Sequence, residues 1–354
     1  MATIRDVAQR AGVSAASVSR VLKNDSTFSV SQKTRERILE AAGELGYNKC
    51  FEYSAIQGTR GTIGIMLLYG EEEEVEDRFY QVIRMNIKME LEKNGFKVKE
   101  VFEPMLDANA PRISGYQGLV FVGYSTLWYQ KKAFRRAVLD SGLPVVCADF
   151  QLRDELLTAD CVVNDFKQAV KKATDLFLKK GFDTIGYMGT YGLEVNGKLH
   201  RDERFLYFRQ IMKSLEKYDE KYIYLAQSNH TQFGYRLGKE IIRRGRLPRA
   251  VFVENDTMAI GFLKALEEEK ISVPGDVAII GCNDDQAASF VTPALSTVKL
   301  HNDLIGMMAA KTLMECLWTD REQGLKIIVP NQLILRESCP ESKTPQQANE
   351  ASIL

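Results

Sequence analysis

Residues 3–47 read TIRDVAQRAGVSAASVSRVLKNDSTFSVSQKTRERILEAAGELGY, and the order of signals in this stretch decides the N-terminal fold. Thr3 is a good N-cap and Asp6 follows in the first turn. Ile4, Val7, Ala8 and Ala11 then trace one face of a helix that Gly12 stops. Ser14 can cap a second helix from Ala15 to Leu22, with Val18, Val21 and Leu22 turned inward and Asn24-Asp25 ending it. Ser31 caps a third, where Ile38, Ala42 and Leu45 recur at i, i+4 and i+7 before Gly46 closes the run.

Two short helices joined by a short glycine-containing turn form a helix-turn-helix, whose second helix offers its first turn to the major groove of DNA. The outward residues of that helix are Ala15, Ala16, Ser17, Ser19 and Arg20. Arg20 can pair with guanine O6 and N7, and small Ala15 and Ala16 let the helix approach closely and touch thymine methyl groups. Serine hydroxyls and helix N-termini suit phosphates, and Thr3, Ser14, Asn24 and Thr34 complete the DNA-facing set. The competing reading is a three-helix interaction module with solvated charges.

Charge sharpens this division. The 354 residues carry 47 Lys/Arg and 47 Asp/Glu, a net charge of zero. The first fifty, however, hold eight basic and five acidic residues, so a +3 headpiece precedes a −3 remainder, as a phosphate-facing attachment requires. No run of about 18 uncharged apolar residues appears, and the N-terminus lacks the apolar stretch of a secretory signal, which points to the cytoplasm. Six scattered cysteines form no C-x-x-C pair and read as reduced, mostly buried thiols with no metal site. His200, His230 and His301 are far apart, and neither H-E-x-x-H nor G-x-S-x-G occurs, so no catalytic residues, metal or cofactor are assigned.

Beyond residue 62 the pattern changes. Apolar runs at 63–68, 119–122, 145–147, 185–188, 250–253 and 277–280 alternate with amphipathic stretches at 78–94, 165–180 and 302–317. That rhythm means parallel sheets with crossover helices, and its restart near Asn164 predicts two doubly wound lobes with a cleft between them. Ligands of such sheets sit beyond the carboxyl ends of the strands. Asp149, Asn255 and Asn283 each follow an apolar run and stand at such ends. Asn255 reads equally well as a turn residue, and Asp256 and Asp285 equally well as helix N-caps.

The stretch 190-TYGLEVNGKLH-200 raises an enzymatic alternative. Gly192-x4-Gly197-Lys198 reproduces most of a phosphate-binding P-loop, but Leu199 replaces the Ser/Thr hydroxyl that would hold magnesium.

The residues T3-I4-R5-D6-V7-A8, A11-G12-V13-S14, S17-V18-S19-R20-V21-L22, V30-S31, T34-R35 and L45-G46-Y47 resemble the headpiece of lactose/galactose-repressor-type regulators. The resemblance continues through T62-I63-G64, N255–G261, V273–V277, P293–V298 and L335–S338, nearly the whole chain, and looks closest to regulators of β-galactosidase operons. It implies an α/β protein: an all-α helix-turn-helix headpiece over 1–48, a hinge over 49–61, a two-lobed body of the periplasmic-binding-protein type over 62–339 and a flexible tail over 340–354. It implies double-stranded palindromic operator DNA and a small sugar of the galactose/lactose class as partners, in a homodimer. Asp149, Arg201, Asn255 and Asn283 become effector contacts, and Phe79 and Tyr80 match an aromatic pair at the cleft rim. The acidic run Glu71–Asp77 before them reads as a solvated loop.

Two departures from the family stand out. Leu300 occupies a position where several relatives carry a polar contact, which suggests a pocket for a different sugar. The hinge reads KCFEYSAIQGTRG over 49–61, without the family's Ala-Arg-x-Leu motif. Ile56, the nearest aliphatic residue, is the candidate wedge into the minor groove; Ile56→Ala is expected to lower operator affinity and bending, and unchanged values would leave a plain linker. A sugar-binding protein without DNA function remains the alternative from another class.

Overall fold

The structure, a computed structural model, describes residues 3–22, 28–45, 60–152, 157–195, 198–319, 321 and 323–340. Asn24 and Ile56 lie outside the described residues, as do most of the hinge and of the tail. The chain divides into two compact units, Met1–Gly61 with Leu91–Lys97, and Thr62–Glu90 with Val98–Leu354.

In the first unit the helices are α1 (Ile4–Ala11), α2 (Ala15–Leu22) and α3 (Gln32–Glu44). Each begins where a side chain satisfies amide groups that the helix leaves orphaned. Around Thr3 a reciprocal capping box forms: its hydroxyl accepts from the Asp6 N–H at 3.4 Å, and the Asp6 carboxylate accepts from the Thr3 N–H at 2.6 Å. Ser14 Oγ accepts from the Ser17 N–H at 3.0 Å, and Ser31 Oγ from the Thr34 N–H at 3.2 Å. Gly12 ends α1 with φ +64°, and the Val13 N–H returns to the Ala8 carbonyl at 3.0 Å. Space around its missing Cβ is open, so glycine supplies the left-handed turn there rather than room. Val7, Ala8 and Ala11, Val18 and Val21, and Ile38, Ala41 and Ala42 close a shared core flanked by Phe28, Val30 and Leu45.

The strands of the second unit, in chain order, are β1 (Thr62–Leu68), β2 (Lys97–Phe102), β3 (Gly118–Gly123), β4 (Val145–Ala148), β5 (Asp160–Asn164), β6 (Ile185–Thr190), β7 (Leu193–Val195), β8 (Lys198–His200), β9 (Ile223–Ala226), β10 (Ala250–Val253), β11 (Ala278–Asn283), β12 (Ser296–Lys299), β13 (Lys326–Val329) and β14 (Gln332–Ile334). One six-stranded sheet has the order β2-β1-β3-β4-β5-β13 and another β9-β6-β10-β11-β12-β14. Pairing is parallel from β1 through β3, β4 and β5 to β13, and from β9 through β6, β10 and β11 to β12. The edge strand β14 pairs antiparallel with β12, a departure from the wholly parallel expectation.

Apolar residues fill the central strands because helices cover both faces. In the first lobe Phe121, Trp128 and Phe134 fill one face of the sheet, and the helix Asn302–Cys316 packs on β3, β4 and β5. In the second lobe Phe177, Tyr187, Phe208 and Phe252 lie in one core, and Val251, Val253, Phe262 and Leu266 in another. The chain crosses between lobes three times, from β5 to β6, from β12 to β13 and from β13 to β14. The first crossing follows Asn164 directly: Asp165 caps the helix Phe166–Lys179, accepting from the Gln168 N–H at 2.9 Å.

The stretch that resembles a P-loop is a hairpin. Antiparallel β7 and β8 pair Leu193 with His200 and Val195 with Lys198, so Lys198 sits in a strand rather than at a helix start. Leu300 is buried in the core of the second lobe and is not among the residues lining the cleft, so it gives no reason to expect a different sugar. No helix among the described residues is long and apolar enough to cross a membrane.

Candidate functional site

A cavity of about 520 Å³ opens between the two lobes, at the carboxyl ends of both sheets. Tyr80, Asp149, Arg201, Asn255 and Asn283 all line it. Asp149 directly follows β4 and Asn283 ends β11, and both hold positive φ, +73° and +126°. Such backbone conformations are costly for non-glycine residues and collect at functional positions. Each turns its strand end into the cleft wall.

Asp149 accepts from the Asn164 amide at 2.7 Å; burial pushes its carboxyl up to about 7, partly countered by that amide and by the Arg204 charge. Asn255 is the N-cap of the helix Asp256–Glu268, its Oδ1 accepting from the Met258 N–H at 2.9 Å. Asp256, read as a possible cap, instead lies fully buried and accepts from Thr297 Oγ1 at 2.7 Å and the Asp285 N–H at 2.8 Å. It anchors the β11–β12 end without facing the cleft. Asp285 does cap, accepting from the Ala287 N–H at 2.9 Å. Arg201 lies over the Phe205 ring at 5.3 Å.

Among the described residues, four polar atoms of the cleft wall are buried without a hydrogen-bond partner: Thr126 Oγ1, Asn164 Oδ1, Asn283 Oδ1 and one terminal nitrogen of Arg201. Buried polar groups are ordinarily paired, so two acceptors, one donor and a hydroxyl left over in one cavity suit a hydroxyl-rich ligand. Aromatic rings supply apolar surface beside them. Tyr80 stacks on Tyr69 at 4.8 Å and meets Tyr124 edge-on at 5.5 Å.

The sequence reading passed over three residues of this cleft. Arg204 is 9% exposed, binds Asp202 through two 2.8 Å hydrogen bonds and donates to the Glu254 carbonyl at 2.9 Å. Burial raises the Asp202 carboxyl, but the Arg204 guanidinium outweighs it and holds it below its usual value. Glu254 accepts from Tyr187 at 3.0 Å and from the Thr190 N–H at 2.9 Å, and burial, helped by nearby Asp202, lifts its carboxyl to about 7. Asp77 is the third. The acidic run before Tyr80 is solvated only at Glu71 and Glu72 among its described acidic residues: Glu74 is buried and paired bidentately with Arg84 at 2.8 and 2.6 Å, Glu73 accepts from the Tyr124 hydroxyl at 2.7 Å, and Asp77 accepts from Asn255 at 2.9 Å. A positional signal existed for Arg204, an arginine two residues after an N-capping aspartate. For Asp77 there was none, since its partner is 178 residues away.

On the headpiece, Ala16 and Arg20 are exposed on α2, Arg20 resting over the Phe28 ring at 5.5 Å. Ala15 is half-buried and packs against the core, so it is a support of α2 rather than an outward residue as the sequence suggested. Ser19 is half-buried. The Thr3, Ser14, Ser17 and Thr34 hydroxyls are engaged in the caps: Thr3 with Asp6, Ser14 with Ser17 at 2.8 Å, and Thr34 with Ser31 at 2.8 Å.

Residues 3–49 match the bacterial regulatory proteins of the lacI family, and residues 174–339 match the periplasmic binding protein-like domain. The transcriptional regulator GanR of Bacillus subtilis (strain 168) is 30% identical over 343 residues, 96% of this chain and 99% of that protein. The transcriptional regulator GalR of Streptococcus thermophilus is 31% identical over 340 residues, again 96% and 99%. Among solved structures, the transcriptional regulator CelR in complex with cellobiose superposes with a TM-score of 0.68 at 22% identity, covering 96% of this chain and 100% of CelR. With the helix-turn-helix, the two doubly wound lobes and these full-length matches together, the chain belongs to the lacI family of bacterial regulatory proteins and is a transcription regulator.

Proposed function

We propose that the protein is a repressor of sugar-utilisation genes that binds a palindromic operator as a dimer and is released by a sugar of the galactose/lactose class in the interlobe cleft. The carrying observation is the gathering of Tyr80, Asp149, Arg201, Asn255 and Asn283 around one cavity with four buried polar atoms that lack a partner among the described residues. The cellobiose bound by CelR supports a sugar as the ligand type. Asp149, Asn255 and Asn283 present acceptors and donors to hydroxyls, Arg201 grips a vicinal pair, and Tyr80 offers a ring to an apolar sugar face.

Operator contact falls to Ala16 and Arg20 of α2, with the helix caps near phosphates. A headpiece of +3 charge binds weakly alone, so two must act together. Such a regulator works where the DNA is, on the nucleoid in the cytoplasm.

The test uses the full-length protein. Footprinting is expected to show a short palindrome, with log affinity falling linearly with log salt, and galactose, lactose or cellobiose is expected to raise the melting temperature and weaken the footprint. Arg20→Ala is expected to cost about 1–3 kcal/mol of operator affinity and to relax preference at one base pair. A melting shift with no footprint would leave a sugar-binding protein without DNA function.

A further inference from the structure

The short segment Asp77–Phe79 belongs to the first lobe but also reaches the second. Asp77 Oδ2 accepts from Asn255 Nδ2 at 2.9 Å, and Asn255 is 1% exposed. Two residues on, Phe79 packs against the second lobe's core of Phe166, Phe205 and their neighbours. The two contacts are tied together, because the Phe79 N–H donates to Asp77 Oδ1 at 2.9 Å. Asn255 is equally fixed from its own side by the Met258 N–H on its Oδ1. Asp77 thus takes one hydrogen of the Asn255 amide that a ligand in the cleft would compete for.

We propose that Asp77 and Asn255 form a lobe-to-lobe latch that holds the operator-binding arrangement, and that the effector releases DNA by taking the Asn255 amide from Asp77. The proposal rests on the effector reading of the cleft and adds to it a positioning residue, Asp77, which acts through Asn255. The latch requires opposite polarity on its two sides, an acceptor at 77 and a donor at 255. Since a ligand shifts an equilibrium only by its differential affinity for the two states, a contact it must displace in one of them is a direct source of that difference.

The two residues can exchange roles, which makes the latch testable. Asp77→Asn keeps the volume and an oxygen for the Phe79 N–H but sets an amide against the Asn255 amide, two donors face to face. Asn255→Asp keeps the N-cap but sets two carboxylates against each other. In the double variant the polarity is reversed and the bridge can form again, with both local caps kept. Full-length protein is expected to lose about tenfold in operator affinity without effector in either single variant and to recover most of it in the double variant.

In Asp77→Asn, the sugar among galactose, lactose and cellobiose that raises the melting temperature is expected to bind about tenfold tighter, because its internal competitor is gone. A simple loss of packing would weaken both interactions rather than move them oppositely. Hydrogen exchange of the amides of Phe79 and Met258 is expected to quicken in the single variants and return in the double variant. Additive losses in the double variant, or unchanged exchange in Asp77→Asn, overturn the latch. Exchange that follows the expected pattern in a protein that binds neither operator nor sugar overturns the functional reading instead and leaves the bridge between lobes intact.

Discussion

Asp149→Ala is expected to weaken binding of the sugar effector by roughly 30- to 150-fold, about 2–3 kcal/mol, while operator affinity without effector stays within about twofold. The asymmetry follows from what Asp149 touches. Its oxygen takes one hydrogen bond from Asn164 and otherwise faces the cavity, so the protein depends on it little and a hydroxyl-bearing ligand depends on it heavily.

Its effect on stability has the reverse sign. Burial lifts the carboxyl from its ordinary 3.8 to about 7, so the folded state favours the protonated form. The contribution of this group to stability is therefore greatest below pH 3.8 and is lost as the pH rises to about 7. The melting temperature of Asp149→Ala at pH 8 is accordingly expected to equal or exceed that of the parent, measured by calorimetry alongside effector titration. A drop in melting temperature matching the drop in affinity would mean that Asp149 is a structural residue and not an effector contact.

The second large effect is expected in the headpiece, where Ile38→Ala should abolish operator binding and leave effector binding unchanged. Eight buried apolar residues make this core among the described residues, and four of them are alanines, so Ile38 is its largest member and is 0% exposed. Removing a buried isoleucine costs about 2–5 kcal/mol, comparable to the whole stability that so small a unit can command. The body has cores of its own in both lobes and is expected to keep its sugar-induced melting shift. Operator affinity that survives Ile38→Ala would show that the headpiece draws its stability from elsewhere.

The headpiece was legible because its determinants are local. Thr3, Ser14, Ser31 and Gly12 act on amides within four residues, and Val18 and Ile38 follow from a period of 3.6. The lobes were legible for a similar reason, since β strands buried on both faces read as apolar runs, and the polar residue ending each run falls at the cleft. What escaped is what depends on distant pairing. Nothing around Asp77 announces Asn255, and the acidic run holding Glu74 reads as solvated until Arg84 is seen closing on it. Ala15 misled because an alanine early in a helix carries no mark of which side it faces.

The three crossings between the lobes bear on how the chain is made. The first sheet ends in β13 and the second in β14, edge strands supplied by residues 326–334, so neither lobe has its full complement until those residues are made. The headpiece core, by contrast, is drawn from residues 4–45 alone among the described residues. A nascent chain thus carries its DNA-reading helices on an incomplete sensor until residues 326–334 are made, and a truncation before residue 326 removes the edge strands of both lobes together.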